Sequence, residues 1–304
     1  YALNANPQHK RLKNRQPLAC ICQYPCGGGG LIPLAYIREW RQRAPWPQSY
    51  QVEQDLIISR ALVEMFSHPS LSESMAFRGG TALFKLYVPP VRYSEDIDLV
   101  QIHPGPIGPV MDAVQEKLNS WLGTPKRKQS EGRVTLTYRM ESEDGLPLRL
   151  KVEINSREHF SVLGFHKQSY EVKSRWFSGR TSILTYHLEE LLGTKLRALY
   201  QRKKGRDLFD LWTAFTTTNA QPDQAIKCFL KYMEHEGNKV SRAEFEENLI
   251  EKLKDPNFVE DIKPLLVADA GHNLHKAADF FMNELAPLIP GEPWQWKAQK
   301  PKKG

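Results

Sequence analysis

The segment Asp96-Ile97-Asp98-Leu99 places two carboxylates two residues apart, each followed by an apolar residue. On a strand this spacing sends Ile97 and Leu99 to one face and both acids to the other. The chain is thereby directed to a sheet with one packed face and one face carrying adjacent negative charge. Two like charges so placed repel each other. A divalent cation between them relieves the repulsion, and hard carboxylate oxygens suit Mg²⁺ or Mn²⁺. Asp-x-Asp alone also fits two solvated acids at a strand end, so the surrounding sequence must decide.

Periodicity organises the rest of the 304 residues. Residues 51–66 run apolar without Gly or Pro and predict a helix that ends by Pro69. Ala82–Tyr87 is helical in texture and is broken by Pro89-Pro90. Tyr93–Ile102 reads as a strand, and Val110–Leu122 as a helix. Arg133–Met140 alternates. Leu148–Ile154 alternates better, with Leu148, Leu150, Val152 and Ile154 on one face and Arg149, Lys151 and Glu153 on the other. Beyond Tyr186 the pattern is helical to about Leu285. The expected organisation is a leader over 1–31, a core of strands and helices over 32–186, a helical domain over 187–290 and a basic tail over 291–304.

Composition excludes several classes. Four cysteines rule out a disulfide scaffold. A mean hydropathy of −0.52, with no apolar run near the roughly 18 residues of a membrane helix, argues against an integral membrane protein. No apolar h-region follows the basic N-terminus, so a cytoplasmic location is expected. The net charge of +7 is misleading as a guide to partners. Residues 1–31 and 297–304 each hold four Lys or Arg and no acid, which leaves 32–296 at −1. Local clusters therefore matter more than the overall charge. Residues 195–206 hold six cations and no acid and are the expected contact for RNA phosphates. Trp294 and Trp296, followed by lysines, are a weaker candidate for stacking on single strands. Cys20, Cys22 and Cys26 suggest a metal knuckle, but His9 lies at no standard spacing from them. The first 31 residues read instead as an unfolded leader, or as sequence upstream of the natural start. His159 and His166 have no nucleophile context and read as structural, and Cys228 as a small buried apolar residue.

Gly79-Gly80 before a helix supplies a turn where backbone can approach a ligand and free N–H groups can meet phosphate, with the Thr81 hydroxyl beside them. A phosphate cradle followed by a carboxylate pair is what metal-bridged triphosphate chemistry requires. In the second half, helical spacing sets Lys195 among Leu188, Leu191, Leu192 and Leu199. A lysine there either snorkels to water or meets an anion.

The stretch Phe77-Arg78-Gly79-Gly80-Thr81-Ala82-Leu83-Phe84-Lys85, followed by Arg92-Tyr93-Ser94-Glu95-Asp96-Ile97-Asp98-Leu99, resembles the AbiEii/AbiGii nucleotidyltransferase toxins of type IV toxin–antitoxin and phage abortive-infection systems. These belong to the DNA polymerase β-like superfamily. The segment Lys195 to Arg206-Asp207-Leu208-Phe209-Asp210 resembles the same family independently, and the likeness spans most of 34–290. It implies an α+β fold: a polymerase β-like core, with a small mixed sheet and flanking helices, followed by a C-terminal helical domain. It implies that Asp96 and Asp98 bind metal, with Glu153 in Lys151-Val152-Glu153-Ile154 matching the third carboxylate. Lys195 and Asp210 match the family's site lysine and aspartate, with Asp207 close by. Gly79, Gly80, Thr81, Lys85, Arg92, Ser94 and Lys151 complete the expected nucleotide-binding set. Two departures are the fifteen residues between Gly80 and Asp96, longer than usual, and Glu rather than Asp at 153.

The resemblance also implies Mg²⁺ or Mn²⁺, an NTP substrate, an RNA acceptor with the tRNA 3′ end foremost, and a co-encoded antitoxin of the AbiEi type. Two other readings stay open at this stage. One is transfer of AMP or UMP to a protein hydroxyl. The other is a regulatory module that binds NTP without transfer.

Overall fold

The strong alternation of residues 133–155 produces a hairpin, and the rest of the sheet is built outward from it. In the computed structural model, which describes residues 31–267 and 273–295, the elements in chain order begin with α1 (Leu34–Trp40), α2 (Ser49–Phe66), α3 (Pro69–Ser74), β1 (Met75–Arg78) and α4 (Gly79–Leu86). There follow β2 (Asp96–Gln101), α5 (Gly108–Leu122), β3 (Lys126–Ser130), β4 (Arg133–Glu141) and β5 (Pro147–Asn155). The sheet is completed by β6 (Phe165–Lys173) and β7 (Ser178–Tyr186). Helices then run through α6 (Leu188–Gln201), α7 (Gly205–Thr217), α8 (Pro222–His235), α9 (Arg242–Leu253), α10 (Pro256–Glu260) and α11 (Leu274–Phe280).

The seven strands form one mixed sheet in the order β3-β4-β5-β2-β1-β7-β6. β2 pairs with β5 in parallel and with β1 antiparallel, and β1 pairs with β7 in parallel. The expected small mixed sheet with flanking helices is present, but wider than the three strands the alternation announces. The residue before the Gly-Gly turn belongs to a strand, and β6 and β7 form a second long hairpin.

One face is packed. Val134, Leu136, Tyr138, Leu150, Val152 and Ile154 are buried there. They are covered by α2, whose residues are buried on nearly every side, and by α5. Burial of that many large aliphatic and aromatic side chains, at about 1.5–3 kcal/mol each, fixes which way β4 and β5 face. Their alternate residues, Arg133, Thr135, Thr137, Arg139, Arg149, Lys151 and Glu153, must then point to the other side. After the last strand, α6 packs on α8 and α7 and touches α4, which brings Lys195 over the sheet's polar face beside the Gly-Gly turn. The expected helix over 51–66 is α2, which ends at Phe66; Pro69 opens α3 at its first turn. The leader cysteines, Trp296 and the terminal lysines lie outside the described residues. Among the described residues no helix is long and apolar enough to cross a membrane.

Candidate active site

Register brings the acids together. Asp98 is paired with Glu153 across β2 and β5, and Asp96 with Lys151. On the other side Asp98 is paired with Arg78 of β1. In a parallel or antiparallel pair, partner residues share a face, so the outward row across three strands reads Glu153, Asp98, Arg78. The alternation of β5 thus puts Glu153 where the resemblance implies a third carboxylate.

The turn after β1 presses directly on this row. Gly79 has φ +81°, and a Cβ there would collide with the Asp98 carboxylate. A Cβ on Gly80 would come to 2.5 Å from Nη2 of Arg92. Both glycines are therefore required by close approach: one lets backbone N–H groups sit beside Asp98, the other lets Arg92 pass beneath the turn. The cleft so formed, of about 230 Å³, is lined by Gly79, Gly80, Asp98, Glu153, Lys195 and Arg202, with Arg78, Arg133, Asn155 and Thr194 around them.

Burial in this cleft pushes the Asp98 carboxyl up to about 6. Asp96 and Glu153 push the same way, while Arg78 and Lys195 oppose them. Among the described residues no three His, Cys, Asp or Glu side chains are gathered closely enough to hold a metal ion. The reason is visible in the ion pairs: Asp96 turns to Lys151 at 3.6 Å, and Glu153 to Arg133 at 3.8 Å. The donor chemistry nonetheless fits a hard divalent cation. Three carboxylates share one face, and the central one is held toward neutrality first by burial and then by the like charge of its two neighbours, which a cation would relieve.

Lys195 meets anions rather than water. Its Nζ lies 2.6 Å from Asp210 Oδ2 and 3.3 Å from Asp207 Oδ1, and both aspartates are fully buried. Asp210 also accepts both prongs of the Arg92 fork, at 2.5 and 2.7 Å. Asp207 also takes Arg202 at 2.7 and 2.8 Å. Burial alone would raise the Asp207 carboxyl, but Lys195 and Arg202 overcome it and hold it at about 2. Burial would likewise lower the Arg92 guanidinium; Asp210 overrides this and raises it.

Asp210 and Asp207 stand behind the cleft lining rather than in it, where they hold Lys195, Arg92 and Arg202 in place. Arg92 is committed to Asp210 and the Tyr93 carbonyl. Thr81 donates to the Asp96 carbonyl at 2.5 Å and shares a hydrogen bond with Ser94, so it fixes the start of β2. Lys85 is paired with Asp55 at 2.7 Å and with Ser59. Thr81, Lys85, Arg92 and Ser94 line a separate cavity of about 170 Å³ with Trp40 and Tyr170, not the carboxylate cleft.

The basic run 195–206 is also less open than its sequence implies. Arg197 pairs with Glu158 and Glu236, Lys203 with Asp255, and Lys204 and Arg206 with Asp261. The neutralising acids come from distant segments, where no local count would find them. Arg133, Asn155, Thr194 and Arg78 line the cleft without a role in the expected site; for Arg78, its place immediately before Gly79 is the available signal. Its Nη1 donates to Glu158 at 2.5 Å, a pairing across 80 residues that nothing local announces. His159 lies 2.7 Å from the Gln101 carbonyl, and Cys228 is fully buried, its thiol pushed up to about 12 by burial.

No curated protein matches the sequence. Among solved structures, JHP933 from Helicobacter pylori is similar at 20% identity and a TM-score of 0.47, over 80% of this chain and 92% of that one. MenT4, a nucleotidyltransferase toxin from Mycobacterium tuberculosis, is similar at 14% identity and a TM-score of 0.48, over 81% of this chain and 88% of that one. The sequence matches the family described as nucleotidyl transferase AbiEii toxin, type IV toxin–antitoxin system, over residues 60–297, which takes in every residue of the cleft. The chain belongs to that family and is a nucleotidyltransferase, the toxin member of a pair that includes an antitoxin.

Proposed function

We propose that this chain transfers a nucleoside monophosphate from an NTP to a hydroxyl of RNA, with the tRNA 3′ end as acceptor, and so blocks translation. The observation that carries the reading is the row Glu153–Asp98–Arg78 beneath the Gly79 turn, with Lys195 above it. Asp96, Asp98 and Glu153 would hold Mg²⁺ or Mn²⁺, which when bound neutralises triphosphate charge. The chain's own residues do the rest. Backbone N–H groups of the Gly79-Gly80 turn, at the start of α4, receive phosphate oxygens. Lys195 and Arg202 face the cleft from α6 and its end, where they stabilise charge on the leaving pyrophosphate. Asp207 and Asp210 are positioning residues for these cations.

In the reaction the acceptor oxygen attacks the α-phosphorus, the bond from that phosphorus to the bridging oxygen breaks, and pyrophosphate leaves with the electron pair. The hydroxyl proton passes to a cleft carboxylate, for which Glu153 is placed. Neutralisation would fall to a co-encoded AbiEi-type antitoxin.

The test combines purified protein, Mg²⁺, each α-labelled NTP in turn and total tRNA, with Asp96→Ala alongside. Label on tRNA from the wild type alone is expected. Label on protein instead would overturn the RNA acceptor, and no label anywhere would overturn transfer.

A further inference from the structure

The outward face of β3, β4 and β5 is unpartnered, and the charged side chains lining its concave part are cations except for Glu153 at the cleft edge. Register aligns Lys126 with Thr137 and Lys151, and Lys128 with Thr135 and Glu153. Continuing the rows into β2 reaches Asp96 and Asp98. Arg139 and Arg149 face each other one step further along. The face thus carries six cations, Lys126, Lys128, Arg133, Arg139, Arg149 and Lys151, and ends at the carboxylates. These residues line a concave surface of about 440 Å³. Arg133 and Lys151 have acid partners on the cleft side. Lys126, Lys128, Arg139 and Arg149 are exposed and, among the described residues, have no carboxylate within salt-bridge distance. This is the reverse of the run 195–206, whose cations are all paired.

We propose that this sheet face is where the acceptor RNA docks, through the phosphate backbone of a duplex stem whose 3′ end enters the cleft. The inference rests on the RNA-transfer reading and extends it. Strand spacing near 4.8 Å and about 3.4 Å per residue make the face roughly 10 by 20 Å, too long for one nucleotide. Charge complementarity names a polyanion. The composition of the face narrows it further. Apart from Pro147 at the hairpin end, no apolar or aromatic side chain points outward from these strands, so the face lacks the large anchors of a protein interface. It equally lacks rings on which unpaired bases could stack. A duplex RNA stem, whose bases are hidden and whose phosphates are exposed, needs neither.

The proposal is tested with a fluorescent RNA hairpin bearing a 3′ overhang. Binding is followed by anisotropy over a range of salt for wild type, for Lys126→Ala/Lys128→Ala/Arg139→Ala/Arg149→Ala, and for Lys203→Ala/Lys204→Ala. The fourfold variant is expected to bind at least about tenfold more weakly, with the slope of log K against log salt reduced by about 3. Its thermal midpoint and NTP affinity should be unchanged, and the double variant should bind as wild type does. Binding by the fourfold variant within twofold of wild type, at an unchanged slope, overturns the proposal. The two readings fail separately. Wild type that labels RNA while the fourfold variant binds normally removes only the docking face. Wild type that labels no RNA removes the transfer reading, while the change in slope still decides the face.

Discussion

Lys195 and Asp210 meet at 2.6 Å with the carboxylate fully buried, and Arg92 grips the same carboxylate from α4's side of the cleft. One aspartate on α7 thus holds a cation from the helical region and a cation that runs beneath the Gly-Gly turn. The cleft is assembled around that shared counter-charge.

Removal of Asp210 should therefore act on stability first. Asp210→Ala leaves Arg92 and part of the Lys195 charge buried without compensation, which costs about 3–5 kcal/mol. Thermal unfolding should show a midpoint lower by roughly 5–8 °C. Asp210→Asn, which keeps the shape and some hydrogen bonds, should lose less. A midpoint unmoved by the alanine would mean that the network carries little of the fold.

Gly79→Ala should abolish transfer by displacing Asp98, because the new Cβ lands on its carboxylate. Gly164 supplies the control. It has a similar φ of +80° but open space around it, so Gly164→Ala bears the backbone strain of about 1–3 kcal/mol without the collision. Comparable losses of stability with loss of activity only at position 79 are expected. Equal activity losses at both positions would show that strain, not contact with Asp98, is what matters.

Glu53 gives the pH dependence. It is buried on α2, with Oε2 accepting from the Glu143 N–H at 3.0 Å and Oε1 unpartnered. Burial pushes its carboxyl up to about 7. The Glu143 N–H opposes this, and the charges of Glu143 and Asp144 add to it. The folded state holds this proton more tightly than the unfolded state, so stability falls as pH rises from about 4.5 through 7 and the penalty then stays constant. Glu53→Gln should match wild type below about pH 4.5 and exceed it by on the order of 2 kcal/mol above pH 7. Denaturant unfolding at pH 4.5 and pH 8 measures this, and a difference independent of pH would contradict it.

The parts legible in the sequence were those governed by local period. Alternation in β5 placed Glu153 on the face of Asp98, and the apolar run of α2 marked the central helix. β1 is four residues with three buried apolar side chains in a row, so no alternation announces it. β6 is half-exposed along most of its length, which blurs its two faces. The direction of Asp207 and Asp210 was illegible for a different reason. Asp210 owes its orientation to a cation elsewhere in the fold, Arg92, 118 residues away, while Asp207 is turned by Arg202 only five residues before it and by Lys195 across the helix pair. Local charge counting failed over 195–206 on the same ground, since Asp255, Asp261, Glu158 and Glu236 reach it only through the tertiary structure.

The most direct measurement is the single-turnover rate of nucleotide transfer to RNA by Asp98→Asn, with NTP affinity and thermal midpoint determined on the same sample. Asparagine keeps the shape, so the Gly79 turn has no cause to move, and it removes the charge at the centre of the row. The predicted result is a rate lower by at least about a thousandfold, or 4 kcal/mol of lost transition-state stabilisation, in a protein that is no less stable than wild type. Transfer within tenfold of the wild-type rate by a folded Asp98→Asn protein would mean that the chemistry is not carried by this carboxylate row.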